Sequence, residues 1–202
     1  FNQTVSPALL DGTSTVQLID REMSKPPKCY MNCEQDVVDW ILRDLSDRDR
    51  EMFCQIEERP NRHHEALHKS LDCSIMDLAD DISYGVHDLE DATALGLILK
   101  ERFIKMVPEE SCSEFLYNIS KEYANEFPDN PYRSMVDKLF SEGRQRKRVI
   151  SLLVGYFVMN CDIKILTEFS EPLLKYRAFM KSEPGEFLKA LKDAVAEEVI
   201  FS

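Results

Sequence analysis

The sequence predicts an all-α protein, and three observations carry that prediction. Apolar residues recur at steps of three and four over long stretches, as one face of a 3.6-residue helix requires. Gly is scarce, six in 202 residues. No alternating apolar and polar run is bracketed by Asn-Gly or Asp-Gly, the strongest short hairpin signal.

The elements follow in order. Ser6-Pro7 reads as a cap with Pro at the first helical position, opening a segment to about Met23. Ser24-Lys25-Pro26-Pro27-Lys28 reads as a loop. Glu34 to Leu45 places Val37, Val38, Ile41 and Leu45 at helical spacing. Ser46 with Asp49 resembles a capping box for a short helix to about Glu57, and Glu58 to Asn61, with Pro60, breaks it. Leu67, Leu71, Ile75, Leu78, Ile82, Val86 and Leu89 then step by 4, 4, 3, 4, 4 and 3, one stripe of a single long helix. Further helices are expected over Ala92–Met106, Cys112–Glu126, Tyr132–Phe140, Arg146–Met159 and Phe187–Val199. Breaks are expected at Pro108, at Pro128-Asp129-Asn130-Pro131 and at Pro184-Gly185, while Ile163 to Tyr176 is ambiguous.

Composition bounds the function. The chain is 44% apolar and 31% charged, a globular balance. Its 25 Lys and Arg against 37 Asp and Glu leave a net charge of −12. Such a chain repels phosphates at long range, so general nucleic-acid or anionic-membrane binding is not expected, and an anionic substrate must be met locally. The longest apolar run, Val149 to Met159, is too short to cross a bilayer and is interrupted by Ser151 and Gly155. Phe1-Asn2-Gln3-Thr4 shows no basic region followed by an apolar core, so no secretory signal is expected. Six cysteines, at 29, 33, 54, 73, 112 and 161, are too sparse for a disulfide framework, which fits reduced thiols and a cytoplasmic protein.

Four patterns could carry chemistry. His64-Glu65-Ala66-Leu67-His68 fits H-E-x-x-H, in which two His one turn apart hold zinc and the Glu polarises water. The turn before it, Arg59-Pro60-Asn61-Arg62, is the wrong place for a mid-helix metal site, so the exposed first turn of a helix is the preferred reading. Cys29 and Cys33 have no partner pair at finger spacing and read as ordinary thiols. On the long helix, Asp77, Asp80, Tyr84, Asp88 and Asp91 lie roughly opposite the apolar stripe, with His87 at the margin. No Lys or Arg stands between Lys69 and Lys100 to relieve the like charges, and Tyr84 sits mid-face, where a solvated surface needs no aromatic. A solvated acidic face is one reading; a metal ion or a polar ligand explains both oddities. Last, Arg144-Gln145-Arg146-Lys147-Arg148 puts four cations in five residues at a helix start, against the dipole, either as a solvated terminus or as a phosphate clamp.

The segment Ser74-Ile75-Met76-Asp77-Leu78-Ala79-Asp80-Asp81-Ile82-Ser83-Tyr84-Gly85-Val86-His87-Asp88-Leu89-Glu90-Asp91-Ala92 resembles, nearly letter for letter, the third metal-ligand helix of the deoxynucleoside triphosphate triphosphohydrolases, the dGTPase branch of the HD-domain superfamily. Weaker similarity covers Phe1–Met23, Cys29–Leu45 and Leu173–Ser202. The resemblance implies a helical HD-type bundle and an enzyme that cleaves a dNTP into deoxynucleoside and inorganic triphosphate with a divalent metal ion. It implies that Asp80 is a metal ligand, that Tyr84 packs beside the deoxyribose and that Asp88 hydrogen-bonds the sugar 3′-hydroxyl, with Arg148 the best local candidate for the phosphates. His87-Asp88 looks like the eponymous doublet but lies past Asp80 on the same helix. His63, His64 and His68 precede His, Glu and Lys, so the first His ligand, the His-Asp doublet and the catalytic His and Glu have no match here.

The chain therefore resembles a C-terminal portion, expected to be inactive alone: residues 1–110 as the end of the catalytic domain, with the metal-Asp helix at 65–92, and 111–202 as a helical extension. The resemblance also implies a homo-oligomer. The competing readings are a non-catalytic helical scaffold or regulatory subunit of the same fold, and a zinc hydrolase on residues 64–68.

Overall fold

The computed structural model describes residues 29–59 and 64–199. The expected helix to Met23, the Ser24–Lys28 loop and part of the break at Pro60 lie outside the described residues. Among the described residues the fold is mostly helical, with two short antiparallel sheets. The described residues divide into two compact units, 29–59 and 64–70 with 166–175, and 71–165 with 176–199.

The first unit holds α1 (Gln35–Leu42), α2 (Asp47–Phe53), β1 (Ile56–Glu57), β2 (Glu65–Ala66) and the one-turn α8 (Pro172–Lys175). Ser46 caps α2 as expected, its Oγ accepting the Asp49 N–H at 3.1 Å. The Asp49 carboxylate does not complete the box. It is buried and accepts the Ser170 N–H, the Ser170 hydroxyl (2.7 Å) and the Glu171 N–H (2.8 Å), pinning the turn before α8. Leu45, Phe169 and Leu174 form the small core beneath it. The stripe expected on α1 is mostly open: Val37 and Ile41 are exposed and Val38 is half-buried, while Leu45, in the turn that follows, is buried in the small core.

The second unit is organised around α3 (Leu71–Ala94), with α4 (Lys100–Met106), α5 (Ser113–Glu122), α6 (Pro131–Leu139), α7 (Arg144–Met159), β3 (Cys161–Ile165), β4 (Tyr176–Met180) and α9 (Ser182–Val199). Helix α3 packs chiefly on α9, β4 and α7. Of the predicted stripe, Ile82, Val86 and Leu89 are buried in the main core, beside Phe103, Phe115, Phe157 and Phe187, whereas Leu67 and Ile75 are exposed. The long helix is shorter than its expected span of 65–92 at the front. It begins at Leu71, because Glu65–Ala66 pairs as strand with Ile56–Glu57.

Two helix boundaries differ from expectation for identifiable reasons. The helix expected over Ala92–Met106 is interrupted by Gly96, whose φ of +66° is the left-handed stop that glycine supplies. The Leu97 N–H donates to the Ala92 carbonyl (2.8 Å) and the Gly96 N–H to that of Thr93 (3.4 Å), the paired bonds of a Schellman ending. Conversely, Pro184 breaks nothing. It lies in the first turn of α9, where its missing N–H has no helical partner to lose.

Strands β3 and β4 pair antiparallel, Cys161 opposite Met180 and Ile165 opposite Tyr176. This pairing was not expected. Its signal is the alternation Cys161-Asp162-Ile163-Lys164-Ile165, which no tight-turn dipeptide brackets. Asn130, in the expected break, caps α6, and Pro131 is its first residue, one position before the expected start at Tyr132.

Candidate functional site

Helix α3 sets the site by its period. With Ile82, Val86 and Leu89 fixed in the core, Asp80, Tyr84 and Asp88 are carried one above another on an exposed line. Tyr84 is 58% exposed, so its ring is not a core contributor. Asp91 shares that exposed face, while Asp77 is half-buried and engaged in an interaction. The acidic face is therefore open, and Tyr84 is its aromatic centre.

A hollow of about 330 Å³ lies beside this line, walled by Tyr84 and Asp88 from α3 and by Lys192, Asp193, Val195 and Ala196 from α9. Its charges are partly matched. The Lys192 ammonium lies 2.5 Å from an Asp81 oxygen, and Lys189 holds Asp193 at 2.7 Å. What remains on the α3 side is the Asp88 carboxylate, an acceptor for hydroxyl donors, beside the face of a phenol ring. A second hollow, on the α7 side, is lined by His87, Glu90, Lys147, Ile150, Ser151 and Val154. His87 Nδ1 stands 3.9 Å from Glu90 there, so the doublet's histidine faces away from Asp88's hollow.

The cationic run at 144–148 is divided by the fold. The Arg146 Nε–H donates to the Leu139 carbonyl at 3.1 Å. Arg148 grips Glu126 through Nε and Nη2, both at 3.0 Å, with its guanidinium 4.6 Å from the Tyr123 ring centre. The hydrogen bond to Arg148 holds the Glu126 carboxyl below its ordinary range, and the same bond raises the Arg148 guanidinium. Lys147 is exposed and lines the His87 hollow.

The H-E-x-x-H pattern does not make the helical pair it needs. Glu65 lies on β2 and pairs with Arg59, and the ring of His68 meets the edge of Phe169 at 5.0 Å. The expectation of an exposed helical first turn at Glu65 is corrected in the same way. Cys29 and Cys33 are exposed, and none of the six cysteines is joined in a disulfide.

Among the described residues no three His, Cys, Asp or Glu side chains gather where they could hold a metal ion. Asp80 supplies one carboxylate, and one ligand does not make a divalent-metal site. The residues present do not by themselves fit such an ion. The α9 wall escaped the sequence reading because Lys192 and Asp193 meet Tyr84 only through tertiary packing, and no local pattern encodes that meeting.

No family model matches the chain. It is similar to curated deoxyguanosinetriphosphate triphosphohydrolase-like proteins. The one from Histophilus somni strain 2336 is 40% identical over 180 aligned residues, covering 87% of this chain and 38% of the relative. That from Vibrio parahaemolyticus is 33% identical over 208, covering 96% and 45%, and that from Haemophilus influenzae strain PittGG is 37% identical over 179, covering 87% and 37%. The chain thus spans less than half the length of the relatives it matches.

Proposed function

We propose, on the premise that this chain belongs to the deoxyguanosinetriphosphate triphosphohydrolase-like family over the stretch it shares with those relatives, that it contributes the deoxynucleoside-binding face of a dNTP triphosphohydrolase. The observation that carries the reading is the exposed line of Asp80, Tyr84 and Asp88 beside a hollow that also has an apolar wall. A sugar with one free hydroxyl and two faces of ring hydrogens suits that chemistry. Asp88 accepts the 3′-hydroxyl proton, and the Tyr84 ring packs beneath the sugar, where a 2′-hydroxyl has no partner and no room.

Asp80 is assigned as one ligand of a divalent cation whose other ligands are not among the described residues. Such an ion, when bound, supplies charge neutralisation at the phosphates. This chain's own part is to bind and orient the nucleoside. The domain division at residue 110, a homo-oligomeric assembly and a cytoplasmic setting belong to the same proposal; no helix among the described residues is long and apolar enough to cross a membrane. Arg148 reaches a phosphate only by releasing Glu126, so that role costs it a bidentate pair. A non-catalytic scaffold of the same fold would use the same face for binding without product release.

The test is product analysis with the protein at its full length, a divalent metal and each of the four dNTPs. Deoxynucleoside and inorganic triphosphate are expected, abolished by Asp80→Ala and retained by Glu65→Ala. Binding without product supports the scaffold, and loss with Glu65→Ala alone revives the zinc reading.

A further inference from the structure

Helix α9 was expected only as part of an extension, yet it approaches α3 more closely than an ordinary side chain permits. The approach is centred on Gly85, the residue between Tyr84 and Val86. A Cβ placed on Gly85 would lie 2.5 Å from Leu188 Cδ1 and 3.1 Å from Lys192 Cγ. Real Cβ atoms do not come so near, so glycine at 85 is what lets α9 seat where it does. Leu188 is 5% exposed and part of the main core, so it has little room to yield. The seat fixes two consequences: Lys192 reaches Asp81, and Val195 and Ala196 face Tyr84 and Asp88 across the hollow.

We infer that α9 is the far wall of the nucleoside hollow, and that the Gly85 contact with Leu188 and Lys192 sets its width and thereby its choice of sugar. Gly85 and Leu188 are positioning residues here, acting through the distance between Tyr84 and the α9 wall. The inference rests on the proposed reading of Tyr84 and Asp88 as nucleoside contacts. Its chemistry is steric: a hollow held narrow by a glycine contact admits a deoxyribose and rejects a ribose, and a difference of about one methyl's width in such a pocket is worth roughly tenfold or more in discrimination.

The experiment uses the full-length protein and compares dGTP with GTP, reading kcat and KM separately. Gly85→Ala pushes α9 outward, so KM for dGTP is expected to rise about tenfold with kcat little changed, and the preference of kcat/KM for dGTP over GTP to fall by a similar factor. Gly85→Ala combined with Leu188→Ala removes the clashing Cδ1 and should restore both quantities toward the parent. Ala196→Leu, at a half-buried wall position away from the glycine contact, fills the hollow instead. It should raise KM for both nucleotides without loosening the sugar preference, and it keeps the test available if Gly85→Ala does not fold. Unchanged KM and sugar preference in folded Gly85→Ala, or unchanged KM in Ala196→Leu, overturns the inference while leaving the proposed function standing. A parent protein that releases no triphosphate from any dNTP overturns the function first, and the inference with it.

Discussion

Replacing Phe187 by Ala should be among the costliest single changes to the larger unit. The ring sits on α9 at 2% exposure, with centroids 5.8 Å from Phe115, 5.5 Å from Phe157 and 6.4 Å from Tyr156. Truncation removes its apolar burial and leaves a cavity that three rings cannot close, a loss of about 3–5 kcal/mol in comparable cores. The aromatic contacts are part of that figure, each contributing on the order of 0.5–1.5 kcal/mol beyond area. With a urea slope of about 2 kcal/mol per molar, a loss near the middle of the range moves the unfolding midpoint down by roughly 2 M. Circular dichroism at 222 nm (the helical signal) through a urea titration reads this directly. Phe187→Leu, which keeps most of the volume, should move the midpoint far less. If Phe187→Ala unfolds at the parent's midpoint with an unchanged slope, the aromatic cluster does not anchor α9, and the wall argued for the nucleoside hollow loses its foundation.

Two further predictions concern titration and reactivity. The hydroxyl of Ser170, with the Ser170 and Glu171 N–H groups, stabilises the ionised Asp49 and holds its carboxyl below the ordinary 3.8. A lowered folded-state pKa stabilises above the unfolded value, and that contribution is lost as pH falls from 3.8 through the folded value. The parent should therefore lose stability over that acid window more steeply than Asp49→Asn, as measured by thermal melts at a series of pH values; parallel profiles would contradict it. Burial, with Glu109 and Glu110 nearby, pushes the Cys112 thiol up to about 12, whereas Cys29, Cys33, Cys54 and Cys73 are exposed. Iodoacetamide at neutral pH should label those four in the native protein and Cys112 only after denaturation, read by peptide mass spectrometry. Native labelling of Cys112 at the rate of the four would show that the core around α5 opens readily.

Where a local residue decides the structure, the sequence was readable. Ser46 caps α2, and the stripe through Ile82, Val86 and Leu89 fixes the inward side of α3. Knowing that side is enough to place Asp80, Tyr84 and Asp88 together on the outward one. What escaped is what depends on partners distant in the chain. The β3–β4 pair is made by Tyr176–Met180 returning after ten residues, and no dipeptide at Cys161–Ile165 announces it. Val37 and Ile41 follow helical spacing on α1 yet remain exposed, because periodicity marks a face without saying what covers it. The proline at 184 misled because its effect turns on whether it falls in the first turn of a helix or later. Arg148 stands in the sequence as one of a run of cations suited to phosphates, and only the fold brings Glu126 and Tyr123 to it. The α9 wall belongs to the same class, since nothing local to Gly85 shows Leu188 packed against it.

A binding cycle at the sugar reads out whether Asp88 meets it. Equilibrium affinities of the full-length protein for dGTP and for its 2′,3′-dideoxy analogue should be measured with the parent and with Asp88→Ala. If the Asp88 carboxylate accepts the 3′-hydroxyl, the parent binds the dideoxy analogue about tenfold or more weakly, the value of a hydrogen bond to a charged acceptor. In Asp88→Ala that ratio falls to near one. The same ratio in both proteins would mean that Asp88 never meets the sugar, and the line on α3 would be an acidic surface with no nucleotide on it.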